Sequence, residues 1–558
     1  MLARRSPRAG GPRRSSRGAY TGPVIRTLRL SFLLVLAILT SSACTAPVRI
    51  DEPLVGTERW FSYPEADALS YDITLIVDPA RPELRGDVHY RFRALENLSE
   101  VRLDATRGAD WDLRFFQKGP LSYEREGDRL RIRLQSRVRA GEEFTFRAIF
   151  SGTPPEGFYF TPTRHGAPCA FTDHYAVRAR GWLPCEDHPG DRARFSMRVS
   201  IPEGYEVVFT GDCERAAETD PDAPAHYVTF EGRSATELPT YLLAFSASAY
   251  VRVAEPSDAR IVPHFIYPQD LEKAQAGLRL HGEWMASLEE TFGPYAFSKY
   301  CVAQVPTRWG GVENAGNTWI AESLLDGERR GTSTLAHELV HQWFGDAVGY
   351  ADWYEVWLSE GFATYFGAWL DARTGGPSLA ESLRRMRRSW SGSDEAFELP
   401  VRWDGYPNPD NALNSNTYPK GAWILHMLRG ELGDGIFFDG LRRYYETHLG
   451  GAATTADLRR AMEHTADRDL GWFFEQWLDR PGCPRLSFDW SPDGVIVRQH
   501  QREPYSFRLR LRWSDASGRE HQRVMRISAS ETRLDLEGAP IANPRVDPRV
   551  ELLWVDAG

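Results

Sequence analysis

The sequence predicts a multidomain α+β protein: an N-terminal antiparallel β domain, a mainly helical middle domain and a small C-terminal β-sandwich. Three observations predict it. At 558 residues the chain exceeds what one hydrophobic core supports. Its first half, past a leader, is built of short alternating runs separated by Gly, Pro and Asp. Its middle then shifts to apolar residues at helical spacing before alternation returns at the end. With 42% hydrophobic and 12% aromatic residues, the chain has the apolar content to bury several large cores and is unlike a disordered protein.

The leader comes first. Residues 1–44 hold eight arginines and no acid, then the apolar run Leu30–Leu39, then Thr40-Ser41-Ser42-Ala43-Cys44. That apolar run is too short for a membrane span and suits a signal-peptide core. Small residues before a cysteine resemble a bacterial lipoprotein cleavage site, with Ser41 where Leu is usual. The reading is export with Cys44 as a lipidated first residue, facing the periplasm or outer membrane, with plain secretion as the alternative. The net charge of −10 becomes −18 once the leader is set aside, and so acidic a body repels phosphate backbones, which excludes nucleic acid as a partner. Export permits one disulfide, with Cys169 and Cys185 the nearest pair, and no cysteine spacing suits a metal.

Residues 45–253 form the expected β domain, with strands such as Tyr71–Val77 and Leu130–Leu134. Residues 254–479 form the helical domain, with helices expected at Leu271–Phe292, Ser333–Phe344, Glu360–Thr374, Gly421–Leu432 and Phe437–His448. Residues 480–558, opening on Arg480-Pro481-Gly482, form the sandwich.

The chemistry concentrates in Thr334-Leu335-Ala336-His337-Glu338-Leu339-Val340-His341. On a helix, His337 and His341 lie one turn apart on the same face and reach one ion, while Leu335, Leu339 and Trp343 form an opposite stripe for the core. Glu338 stands beside the metal face, placed to take a proton from water. A third ligand must be an acid returned by a second helix, and Glu360 in Leu358-Ser359-Glu360-Gly361 is that acid. Two histidines and a carboxylate are a common set for catalytic zinc, one ion per chain.

Upstream lies Trp309-Gly310-Gly311-Val312-Glu313-Asn314. Together with the histidine motif and the later Glu360, this segment resembles the aminopeptidase N and leukotriene-hydrolase family of zinc metallopeptidases, with Val312 where that family has Met. The resemblance implies a saddle-like β domain, a thermolysin-like catalytic domain and a small β domain over roughly 50–558. It implies that Glu313 binds the free α-amine of a peptide substrate and that the Gly310-Gly311 edge bonds the peptide backbone. Tyr418, in Tyr418-Pro419-Lys420-Gly421, matches the family tyrosine that hydrogen-bonds the oxyanion. Near Gly181-Trp182-Leu183-Pro184, which resembles a stretch of the family's N-terminal domain, the family holds a Gln or Glu nine residues before the proline that helps bind the substrate amine. Here Tyr175 stands at that place and Asp173 two before it, so either Asp173 supplies the contact or Glu313 acts alone. The long C-terminal helical domain of many members has no room in 480–558, which implies a more open site.

The expected function is removal of N-terminal residues from peptides by metal-activated water. Two rivals share parts of this pattern: an endopeptidase of thermolysin type, and a non-enzymatic surface lipoprotein on a peptidase fold.

Overall fold

The eleven-residue strand Leu84–Ala94 shows how the N-terminal sheet is made: Leu84, Val88, Tyr90, Phe92 and Ala94 point inward while the intervening Arg and His residues face out. That strict alternation commits one face to a core. The computed structural model describes residues 63–558 apart from 109–110, 255–257, 259, 326, 328 and 538–540. The leader and Cys44 lie outside the described residues. Among the described residues no helix is long and apolar enough to cross a membrane.

Eight strands form the main N-terminal sheet, in the order Asp212–Arg215, Tyr227–Arg233, Arg194–Pro202, Ala66–Val77, Leu84–Ala94, Glu143–Gly152, Asp112–Phe116 and Pro120–Leu121. The sheet is antiparallel with one exception, because Ala66–Val77 pairs parallel with Arg194–Pro202. A parallel pair needs a long crossover, and more than a hundred residues of β structure supply it. Its buried face carries an aromatic ladder in which Tyr71 stacks on Phe195 at 5.2 Å and Tyr90 on Phe146 at 4.6 Å. A three-stranded sheet (Leu98–Asp104, Arg129–Val138, Tyr123–Glu126) and a four-stranded one (Glu206–Phe209, Phe245–Ser248, Cys169–Thr172, Phe158–Phe160) complete this region.

The middle region is helical as expected but begins with a five-stranded sheet that the sequence reading missed. Its order is Val251–Val253, His264–Ile266, Cys301–Val305, Asn317–Ala321 and Gly311–Val312. Cys301–Val305 and Asn317–Ala321 pair in parallel and are buried along their whole length, so they lack the alternation that marks a half-exposed strand. The single helix expected over Leu271–Phe292 is two, Leu271–Leu278 and His281–Phe292. His281 Nδ1 donates to the Leu278 carbonyl at 2.7 Å and so takes the acceptor that a continuing helix would use.

Seven strands form the C-terminal sandwich, in sheets of four and three. Its core is continuous with that of the helical region, and the helix Gly421–Leu432 is tied to it where His426 Nε2 donates to the Val550 carbonyl at 3.0 Å.

All five described cysteines are unbridged. The suggested Cys169–Cys185 bridge is absent because the two thiols face different cores: Cys169 lies between the four-stranded sheet and the strands of the middle region, and Cys185 in the core of the main N-terminal sheet.

Candidate active site

The helix Arg329–His341 ends in the motif, and its apolar residues Leu335, Leu339 and Val340 are fully buried. That burial turns His337 and His341 to one side, with their Nε2 atoms 3.1 Å apart. The helix Trp357–Arg373 packs across it and carries Glu360 in its first turn, where Glu360 Oε2 stands 3.3 Å from His337 Nε2 and 3.4 Å from His341 Nε2. These three separations fit the edges of a tetrahedron whose centre lies 2.0–2.1 Å from each atom, for which the edge is about 3.3–3.4 Å. Glu360 Oε2 has no hydrogen-bond partner although it is buried, as a ligand atom awaiting an ion would be. The residues therefore fit zinc.

Ser359 fixes the direction of His341. Its Oγ lies 2.9 Å from His341 Nδ1 and 3.5 Å from the Phe344 carbonyl, so the serine donates to Phe344 and accepts from Nδ1–H. That leaves the Nε2 lone pair for the ion. Ser359 was not singled out in the sequence, although it directly precedes Glu360.

Tyr418 arrives from a third direction. It lies in the π-turn Asn416–Lys420 before the helix Gly421–Leu432, and its hydroxyl donates to Glu360 Oε1 at 2.7 Å. Gly421 makes that reach possible: a β-carbon on it would lie 2.9 Å from the Gly361 Cα, so only two glycines let these segments cross so closely. The Tyr-x-x-Gly spacing is thus a packing requirement that carries the tyrosine to the ligand set.

Glu338 and Glu313 share the next position. One carboxylate oxygen of each and a ring nitrogen of His341 lie within 4.8 Å of one another. Glu313 is buried with Oε1 unpartnered, and Glu338 is buried as well. Gly311 makes room for Glu338, since a β-carbon there would fall 2.4 Å from its Oε1. Gly311–Val312 is the terminal strand of the five-stranded sheet and, among the described residues, pairs on one side only, with Asn317–Ala321. An unpaired edge of this kind can take an extended chain.

Charge in this buried volume is strongly unbalanced. Burial, with the charges of Glu360 and Asp173, pushes Glu313 up to about 7 against the pull of His341. Burial also drives Glu338 well above the usual carboxylate range. Burial alone would lower His341, but Glu313, Glu360 and Glu338 outweigh it and raise the imidazole to about 10. Burial would likewise raise Glu360, yet His341 and His337 bring it down to about 2. The set calls for cations, and a divalent ion at the histidines and an ammonium beside Glu313 would answer it.

A cavity of about 370 Å³ joins these groups, lined by His337, Glu338, His341, Glu360, Glu313, Gly310, Gly311 and Tyr418, with Tyr175, Trp309, Val312, Ser333, Thr334 and Leu413. Tyr175 lines it and Asp173 does not. Asp173 is buried behind the wall, accepting from Trp309 Nε1 at 3.3 Å, with Arg308 Nε 3.8 Å away. A larger groove of about 870 Å³ lies elsewhere, lined by Asp72, Arg198, Cys213 and Lys299 among others, and holds none of the expected site residues.

Residues 67–242 match the Peptidase M1 N-terminal domain, and residues 278–477 match the Peptidase family M1 domain. The chain is 26% identical over 399 residues to human Aminopeptidase RNPEPL1, covering 67% of this chain and 53% of that protein. It is 26% identical over 467 residues to mouse Aminopeptidase B, covering 75% and 69%. With Probable aminopeptidase 1 of Saccharolobus solfataricus it shares 26% over 382 residues, covering 65% and 47%. It thus spans about half the length of the first and third of these relatives, and about two-thirds of the second.

Proposed function

This chain belongs to peptidase family M1, and from that premise we propose that it is a zinc-dependent aminopeptidase, releasing residues one at a time from the free N-terminus of peptides. The observation that carries the reading is the buried Glu313 carboxylate, its Oε1 unpartnered, on the wall of the same cavity as His337, His341 and Glu360. An endopeptidase has no use for a fixed anion there, whereas an α-ammonium beside it sets the cut one residue in.

His337, His341 and Glu360 would hold the zinc, which when bound supplies Lewis acidity to the substrate carbonyl and acidity to a water. The chain's own groups do the rest. Glu313 anchors the α-amine, and the free edge of Gly311–Val312 aligns the peptide backbone. Glu338, held against that strand, takes a proton from the attacking water and hands it to the departing amine. Tyr418 is close enough to the ligand set to donate to a developing oxyanion. To do so its hydroxyl must turn from Glu360 Oε1, its acceptor in this structure.

The test is a panel of aminoacyl chromogenic amides and their N-acetylated forms on the purified protein, with and without a chelator. Hydrolysis of the free forms, abolished by chelation and restored by zinc, is expected. Cleavage of acetylated peptides at internal bonds as fast as free ones would refute the amine anchor.

A further inference from the structure

The wall beside Glu313 shows what kind of N-terminal side chain the cleft accepts. Tyr175, Trp309 and Leu413 line it, and the two aromatic residues have their polar tips tied elsewhere. Tyr175 Oη pairs with Tyr350 Oη at 3.2 Å, and Trp309 Nε1 donates to Asp173. A side chain lying here meets two aromatic side chains and a leucine.

Two acids stand behind that wall, and each faces an arginine. Asp410 lies on the short turn Pro409–Ala412 just before Leu413, and its Oδ1 accepts from the Ala176 amide at 3.1 Å, next to Tyr175. Arg178 closes on it with both terminal nitrogens, Nη1 reaching Oδ1 at 3.2 Å. This arginine is only 12% exposed. Asp173 is paired with Arg308 and also feels the charge of Arg178.

We propose that the recess beside Glu313 selects uncharged, apolar N-terminal residues, and that Arg178 sets this preference by occupying Asp410. The proposal rests on the aminopeptidase reading above. A lysine or arginine side chain entering the recess would shed water against aromatic side chains and find no free counter-charge on that wall, since Asp410 and Asp173 face arginines and Glu313 is engaged by the α-amine. Leu, Met and Phe substrates should exceed Arg and Lys substrates by about 10–100-fold in kcat/KM. Arg178 is a positioning residue here: it acts through Asp410 and touches no reacting atom.

The experiment measures kcat/KM for Leu, Met, Phe, Arg and Lys amides with the wild type, Arg178→Met, Arg178→Lys and Asp410→Asn. Arg178→Met leaves Asp410 uncompensated and should raise the Arg-to-Leu ratio by about tenfold. Arg178→Lys keeps the pairing charge and should keep the wild-type ratio. Asp410→Asn leaves Arg178 as an unpaired cation and should lower the ratio further, which carries the test if Arg178→Met is insoluble. A wild type that cleaves Arg or Lys amides as well as Leu amides overturns the proposal, and so does an Arg178→Met enzyme that is active on Leu with an unchanged ratio. Failure to cleave any free aminoacyl amide would instead overturn the aminopeptidase reading.

Discussion

Replacing Gly311 by alanine should disable the enzyme without unfolding it or emptying its metal site. A β-carbon at that position lands 2.4 Å from Glu338 Oε1, 2.5 Å from its Cδ and 2.6 Å from its Cγ. Non-bonded heavy atoms settle at about 3.5–4.0 Å, so the carboxylate must retreat by about 1 Å. A misplacement of that size at a reacting centre costs about 10²-fold in rate. What the new methyl strikes is a side chain bordering a cavity, not backbone, so the unfolding midpoint should stay near that of the wild type. The adjacent Gly310 supplies the control: a β-carbon there meets Leu324 Cδ1 at 3.5 Å and Thr334 Cγ2 at 3.7 Å, ordinary contact distances. The assay is kcat/KM on a leucine amide with zinc measured on the same samples. Gly311→Ala should lose about 10²-fold with zinc retained, and Gly310→Ala about tenfold less than that. A Gly311→Ala rate within about threefold of wild type would refute the placement of Glu338 as the base. Loss of zinc together with rate would shift the damage to the ligand set.

Three further outcomes are expected. Pure protein should carry one zinc; His341→Ala should lose metal and activity, while Glu338→Gln should keep the metal and lose about 10²–10⁴-fold in kcat, so a metal-free protein at full rate defeats the scheme. Glu313→Ala strands a substrate ammonium at roughly 2–5 kcal/mol, so kcat/KM on free aminoacyl amides should fall about 30- to several-thousand-fold with zinc unchanged; equal rates on free and acetylated forms by wild type would count against it. Tyr418→Phe should lower kcat by about 10²–10³-fold with zinc unchanged, and a rate within a few-fold of wild type would mean that its hydroxyl serves only Glu360.

The histidine motif was legible because helix geometry is local: two residues four apart on one helix share a face whatever the rest of the chain does. Glu360 was legible for a related reason, since a short connection returns the next helix against the first. The strands Cys301–Val305 and Asn317–Ala321 were not legible, because full burial removes the alternation that identifies a strand. Ser359 and the glycine pair Gly361–Gly421 were equally hidden. Their roles exist only between segments, and a serine or glycine in isolation has many ordinary explanations.

Tyr175 shows where counting residues and reading chemistry part company. The count back from Pro184 led to the residue that the structure places on the cavity wall, while the search for a carboxylate led to Asp173, which the fold sets behind it. Position follows from the backbone path of the β domain, which a motif can mark from a distance. Charge follows from the side chain, and here that side chain is a phenol tied to Tyr350. With a ring where an amide or acid might have stood, and with Asp173 and Asp410 facing Arg308 and Arg178, Glu313 keeps a buried, unpartnered carboxylate oxygen at this end of the cleft. Under the proposed reading Glu313, beside apolar walls, would bind one ammonium and leave the side chain next to it to be chosen by shape and hydrophobicity.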